Sequence, residues 1–217
     1  MQSLIKASIL WNDLTDNTTG DQIVTRALQP LILPAHSCAF GYVVEGKVSW
    51  KDGRIKRMAC EGDYVNISHG EPCTIDVNGE ALFIIRRHLK GYNLIGKVDT
   101  EGPGFVNYID GCTDSLIVPP PRLGDPCVNI LYFPPAVNQS FHTHPSFRAG
   151  IVIGGRGTAC VNQEEIPLNP GDVFYLPTNT NHRFKTDLNP MTIYAYHPDT
   201  DWGPTDENHP MINRTII

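Results

Sequence analysis

Apolar residues along this chain come in short runs, some alternating with polar positions and some continuous, each closed by Gly, Pro or Asn. GYVVEGKVSW, DYVNIS, ALFIIRRH, VNILYF, GIVIGG, DVFYLP and MTIYAYH are the clearest. Helical spacing of apolar positions is almost absent. Closely spaced short strands separated by turn residues predict an all-β sandwich or barrel.

The pattern also repeats. Shifting the chain against itself by 109 positions sets Gly41 on Gly150, Gly46 on Gly155 and Gly62-Asp63 on Gly171-Asp172. The same shift sets Ile84 on Ile193 and His88 on His197. Turn glycines recurring with matching strand patterns are what a duplicated β-module shows, because glycine is retained where the backbone needs a positive φ. This predicts one module at 1–95 and a second at 125–217. The stretch 96–124, rich in Gly, Pro and Asp, reads as a connector with one strand at SLIV.

Composition narrows the function classes. The formal charge of the 217 residues is −6, and the 17 basic residues are scattered, so no basic stripe points to nucleic acid. The N-terminal stretch has no signal-peptide pattern, and no run is long enough to span a bilayer, so the expectation is a soluble, cytoplasmic protein without membrane partners. The six cysteines are far apart and include no C-x-x-C pair, which predicts buried reduced thiols rather than a disulfide framework.

The candidate chemistry begins at FHTHPSFRAGIVIGG. In an extended strand, residues i and i+2 share a face about 7 Å apart, so His142 and His144 can converge on one ion. A third ligand must come from elsewhere, and PGDVFYLPTNTNHRF offers a strand at 172–176, a turn and His182. Together these segments resemble the cupin superfamily. Its first motif is a His-x-His followed by a Glu and a turn Gly, and its second a Gly and Pro followed by a His. Here His142-x-His144 with Gly155 fits the first, and Gly171-x5-Pro177-x4-His182 fits the second. The resemblance implies double-stranded β-helix (jelly-roll) barrels in a bicupin arrangement. It also implies a divalent metal held by His142, His144 and His182, in a site at the barrel mouth.

Four positions depart from the family pattern. Arg148 stands where the first motif has its Glu, Ala136 where it has its first Gly, Asn179 where the second motif has its Gly, and Thr186 where it ends in Asn. The Glu change alters the chemistry, since a guanidinium is always charged and has no lone pair for a metal. At about 5 Å and an effective dielectric of about 20, a divalent ion and a guanidinium repel by roughly 7 kcal/mol. Three resolutions stand open. Arg148 turns outward to an acid such as Glu164 or Glu165; an anion lies between Arg148 and the metal; or no metal binds, and Arg148 with the histidines holds an anion directly.

In the second resolution the three-histidine ion keeps open positions and Arg148 anchors an acid bidentately, as at the sites of three-histidine thiol dioxygenases within the superfamily. Fe(II), Zn, Mn and Ni all suit imidazole. His142, His144, His182 and Arg148 are then the catalytic candidates. Arg148, Tyr194, Tyr196 and Phe174 are the substrate-binding ones, the aromatic side chains because a strand face of a small barrel lines its pocket. His197 marks a strand end. The tail offers Asp199, Asp201, Asp206, Glu207 and His209, and one of its carboxylates can replace the lost Glu. In the first module the ligand positions map to Leu33, Ala35 and Cys73, and Arg148 to Ala39, so that module carries no metal. The expectation is a homodimeric, metal-dependent enzyme acting on a small anionic metabolite, by dioxygenation first and by isomerase or lyase chemistry next. A non-catalytic ligand-sensing protein and a metal-free sugar-nucleotide-type enzyme are the alternatives.

Overall fold

The computed structural model describes residues 5–7, 14–15, 19–24, 30–98, 102–200 and 214–215. The chain divides into two compact units, Ile9–Val98 and Met1–Ser8 with Asp99–Ile217. Both are built from antiparallel strands, as the short apolar runs predict, and the jelly-roll expectation holds. Among the described residues no helix is long and apolar enough to cross a membrane. All six thiols are free. Five are buried, but Cys60 is exposed, because it ends the strand Ile55–Cys60 pointing away from the core.

In the N-terminal unit, Ser37–Asp52 is the central strand. It pairs with Ile55–Cys60, Asp63–His69 and Cys73–Arg87. Leu33, Ala39, Val43, Val48, Trp50, Val65, Ile67, Ile75, Phe83 and Ile85 close its core.

The C-terminal unit has a large sheet ordered Ile5–Ala7, Val173–Leu176, Arg148–Gly155, Met191–His197, Cys127–Phe133, Thr113–Val118, Val106–Asn107, Arg214–Thr215. A smaller sheet is ordered Glu164–Leu168, Gly157–Val161, His182–Lys185. Side chains alternating inward from both sheets, among them Leu131, Phe133, Val152, Phe174, Leu176, Phe184, Ile193 and Ala195, form one core. The stretch read as a connector supplies Val106–Asn107, Thr113–Val118 and the buried side chains of Tyr108, Ile109 and Cys112 to this core.

Strand registers repeat between the units. Gly41 faces Val65 as Gly150 faces Phe174, Lys47 faces Cys60 as Arg156 precedes the pairing of Gly157 with Leu168, and Ser49 faces Asp76 as Thr158 faces Lys185. Bulges fall at Val43/Glu45 and at Val152/Gly154, again 109 apart. Gly46 and Gly155 both have a positive φ, +75° and +62°. A Cβ on either would lie 2.1 Å from Asn78 O or 1.9 Å from Pro190 O, so only glycine fits.

The ungapped repeat fails at the last strand. Gly41 faces Phe83, but Gly150 faces Ala195, three residues further on than the repeat requires. In the N-terminal unit Cys73–Arg87 runs unbroken; in the C-terminal unit it is split into His182–Lys185 and Met191–His197 by an intervening loop. Extra residues in that loop shift everything after it, so Ile84 is not the counterpart of Ile193, nor His88 of His197.

Candidate metal centre

The extended strand expected to carry His142 and His144 does not form as such. Pro145 carries no amide hydrogen to donate, residues 145–146 bend, and the regular strand starts only at Arg148. What places His142 is a single bridge: its N donates to His182 O at 3.0 Å, and His182 N donates back to His142 O at 2.9 Å. Behind it, Gln139 N donates to Phe184 O, and the Gln139 side chain accepts from Phe184 N at 3.1 Å. His144 is fixed through its carbonyl, which accepts from Asn179 N at 2.8 Å.

The departures from the family motifs keep the backbone the motifs need. Asn179 and Ala136 stand at the glycine positions and both have positive φ, 58° and 61°. Asn enters that region more readily than most residues, whereas for Ala it is strained. Thr186, at the terminal Asn position, is buried; its Oγ1 donates to Pro134 O at 2.5 Å and accepts from Val137 N at 3.1 Å.

The result is a tripod. His142, His144 and His182 are buried, and one ring nitrogen from each lies within 4.8 Å of the others. Ring centroids are 4.4 to 5.1 Å apart. His142 Nδ1 lies 2.9 Å from Ser140 O and His182 Nδ1 2.8 Å from Thr180 O. Each Nδ1–H donates to its carbonyl, which fixes the tautomer and leaves Nε2 with its lone pair toward the other rings. Burial lowers the His182 pKa to about 3, helped by the neighbouring His142 and by Arg148. His144 is held well below its ordinary value by burial first, then by Arg148. Neutral imidazoles in a dry pocket are what a metal requires of its ligands.

Arg148 points inward. It is 7 % exposed, and its Nη1 donates to Ser146 Oγ at 2.6 Å and to Phe147 O at 2.8 Å. Glu165 pairs instead with Lys185 at 2.7 Å, so the outward-turned resolution is not what the chain adopts. Among the described residues no carboxylate makes an ion pair with Arg148. Desolvation lowers its pKa, against which Tyr108, Asp199 and Cys127 act in that order. Of the three resolutions, the two that place an anion by Arg148 are left, one beside a metal and one without it.

The aromatic candidates separate. Phe174 lies on the inward face, opposite Gly150, and packs on Phe184 at 5.7 Å, one layer below His182. Tyr194 and Tyr196 alternate to the other face from Ile193 and Ala195, where Tyr196 stacks near Phe147 at 5.9 Å. Both are fully buried there, so a substrate-binding place for them beside the histidines is corrected. His197 is half-buried opposite Cys127 and outside the tripod. Of the tail acids, Asp199 is described; Asp201, Asp206, Glu207 and His209 lie outside the described residues.

Sequence reasoning missed a polar stretch on the same inward face. Asn129 Nδ2 donates to Asp114 Oδ2 at 2.6 Å, and the Cys127 thiol donates to Asn129 Oδ1 at 3.6 Å. Burial raises the Asp114 pKa to about 6, opposed by its bond from Asn129, and raises that of Cys127 to about 12. The one signal was Asn129 interrupting the apolar run VNILYF.

Comparison with known proteins agrees with this geometry. Residues 129–195 match a family model described as a cupin domain. No curated protein matches the sequence. Solved structures of similar fold include a cupin 2 conserved barrel domain protein from Leptotrichia buccalis, 13% identical with a TM-score of 0.65, covering 90% of this chain and 89% of that one. The protein Ylba from E. coli is 19% identical with a TM-score of 0.58, covering 86% and 78%. The salicylate 1,2-dioxygenase from Pseudoaminobacter salicylatoxidans is 12% identical with a TM-score of 0.57, covering 82% and 70%. At such identities the likeness is one of fold.

Proposed function

Since residues 129–195 match the cupin domain and the chain has the cupin fold, we propose that it is a metal-dependent enzyme acting on a small carboxylic acid, with dioxygenation as its chemistry. The observation that carries this reading is the pairing of a neutral three-histidine tripod with a buried, inward-facing Arg148 whose Nη2 has no hydrogen-bond partner among the described residues. The donor set fits Fe(II), Mn, Zn or Ni: one ring nitrogen from each histidine converges, and the rings of His142 and His182 are oriented by Nδ1–H bonds to carbonyls. His142, His144 and His182 would hold the ion, which would supply Lewis acidity.

The chain's own residues do the rest. Arg148 draws the substrate carboxylate toward the ion and offsets its charge, with its guanidinium fixed by Ser146 Oγ and Phe147 O. Phe174 packs on Phe184, and Phe184 on His182, so the side of the tripod next to them is apolar. The salicylate enzyme of similar fold acts, by its name, on an aromatic acid, which supports an acid as the substrate class here.

The test is elemental analysis of protein purified without chelator, followed by oxygen uptake with a panel of small acids. Stoichiometric metal and acid-dependent oxygen consumption, both lost on His182→Ala, are the expected outcome. Stoichiometric metal with no turnover of any acid would overturn the catalytic reading.

A further inference from the structure

Arg148 is buried, but contact meets its charge only in part. Its Nη1 is used up on neutral oxygens of Ser146 and Phe147. Its Nε is sealed from solvent with no acceptor. Two residues beyond His197, Oδ1 of Asp199 is sealed as well, with no donor. These are two orphaned atoms of opposite charge, and the two side chains interact electrostatically; Asp199 also interacts with Cys127, which faces His197 across the ladder. A sealed donor and a sealed acceptor that attract one another would be satisfied together by pairing, and leaving both unmet is costly.

We infer that Asp199 is a positioning residue for Arg148: its carboxylate takes the Nε edge of the guanidinium, Ser146 and Phe147 hold Nη1, and Nη2 is the edge left for the ligand's acid group. This rests on the reading that Arg148 anchors an acid. Nη2 has no hydrogen-bond partner among the described residues and is not among the sealed atoms. A long, rotamer-rich side chain fixed on two edges loses little further freedom when the third engages a ligand, so the clamp raises affinity without touching the ligand itself. Asp199 thus acts on the arginine rather than on the ion.

Two measurements decide it. The first is nitrogen-15-edited NMR of arginine Nε–H groups in protein loaded with diamagnetic Zn²⁺, with the Arg148 signal assigned by its loss in Arg148→Lys. A downfield, slowly exchanging Nε–H is expected, and it should collapse to the solvent-exposed position in Asp199→Asn. A signal unchanged by Asp199→Asn would overturn the inference. The second is calorimetric titration with benzoate. Asp199→Asn should weaken binding about fivefold or more, Asp199→Glu should recover most of that loss, and Asp199→Asn should add nothing in an Arg148→Lys background. Additive losses would overturn the inference while leaving Arg148 as the acid anchor. An Nε–H signal that depends on Asp199, in a protein whose benzoate affinity depends on neither residue, would keep the clamp and remove the acid reading.

Discussion

His142 and His182 face each other through two reciprocal backbone hydrogen bonds, and in the N-terminal unit Leu33 faces Cys73 at the corresponding position. The tripod is therefore hung on main-chain contacts that do not depend on imidazole. His142→Ala/His182→Ala should abolish stoichiometric metal while leaving the β-sheet circular dichroism of metal-free protein intact. Near-stoichiometric metal in the double variant, by elemental analysis, would contradict the ligand assignment.

Arg148→Glu should return a carboxylate to the tripod, raising metal affinity and weakening acid ligands. Because Nη1 is already committed to Ser146 and Phe147, the contact left for a ligand is made at one edge and not in the bidentate fashion expected from sequence. Arg148→Lys should then keep part of the acid affinity, whereas Arg148→Ala should lose roughly tenfold to a hundredfold, the range for one charged hydrogen bond. Equal losses in both variants, by calorimetry, would show that guanidinium geometry matters more than charge.

Asp114 should make stability fall as pH rises. Its folded-state pKa is raised from 3.8 to about 6 by burial, so between those values the folded protein holds a proton that the unfolded chain has released. That contribution is complete below about pH 4 and is lost as pH passes 6, a change of about 3 kcal/mol for a shift of about two units. Asp114→Asn removes the titration. Its melting temperature relative to the parent should rise steadily from pH 4 to pH 7, and a difference flat across that range would rule the effect out.

How far the site could be read from sequence follows from what spacing encodes. His142, His144 and His182 were legible because the family motifs fix their separation, even though Pro145 replaces the expected strand with a bend. The inward direction of Arg148 was not legible from the histidines, since the bend at Pro145 breaks the alternation; it follows from the strand that begins at Arg148, whose Val152 meets the core. Tyr194 and Tyr196 were misplaced because period two says that alternate residues share a face but not which face meets the core; that depends on their partners Ala149 and Ile151 across the ladder. Asp114 and Tyr108 were hidden in a Gly- and Pro-rich stretch whose strands are set by pairing with Cys127–Phe133 rather than by any local pattern. The three-residue slip after Lys185 was invisible because it lies in a loop, where length carries no periodicity.

Two backbone substitutions should have opposite signs. Gly155→Ala forces a Cβ onto Pro190 O, and should cost more than the roughly 1 kcal/mol of an ordinary left-handed glycine replacement. Ala136→Gly relieves an alanine held at φ 61° and should stabilise by about 0.5–1 kcal/mol, the left-handed strain removed less the added chain entropy. Thermal denaturation of the two variants, side by side, checks both.

The Leu33–Cys73 pair has one more consequence. This chain contains its own control experiment: the same ladder built twice, once around histidines and once around apolar side chains that lie in a closed core. The second version shows that the architecture asks for nothing polar at these positions. Three buried imidazoles and a guanidinium are thus a burden the fold could shed, and one copy has none of them. Selection for stability alone would favour that outcome in both copies, so the survival of the cluster in one records a demand from outside folding.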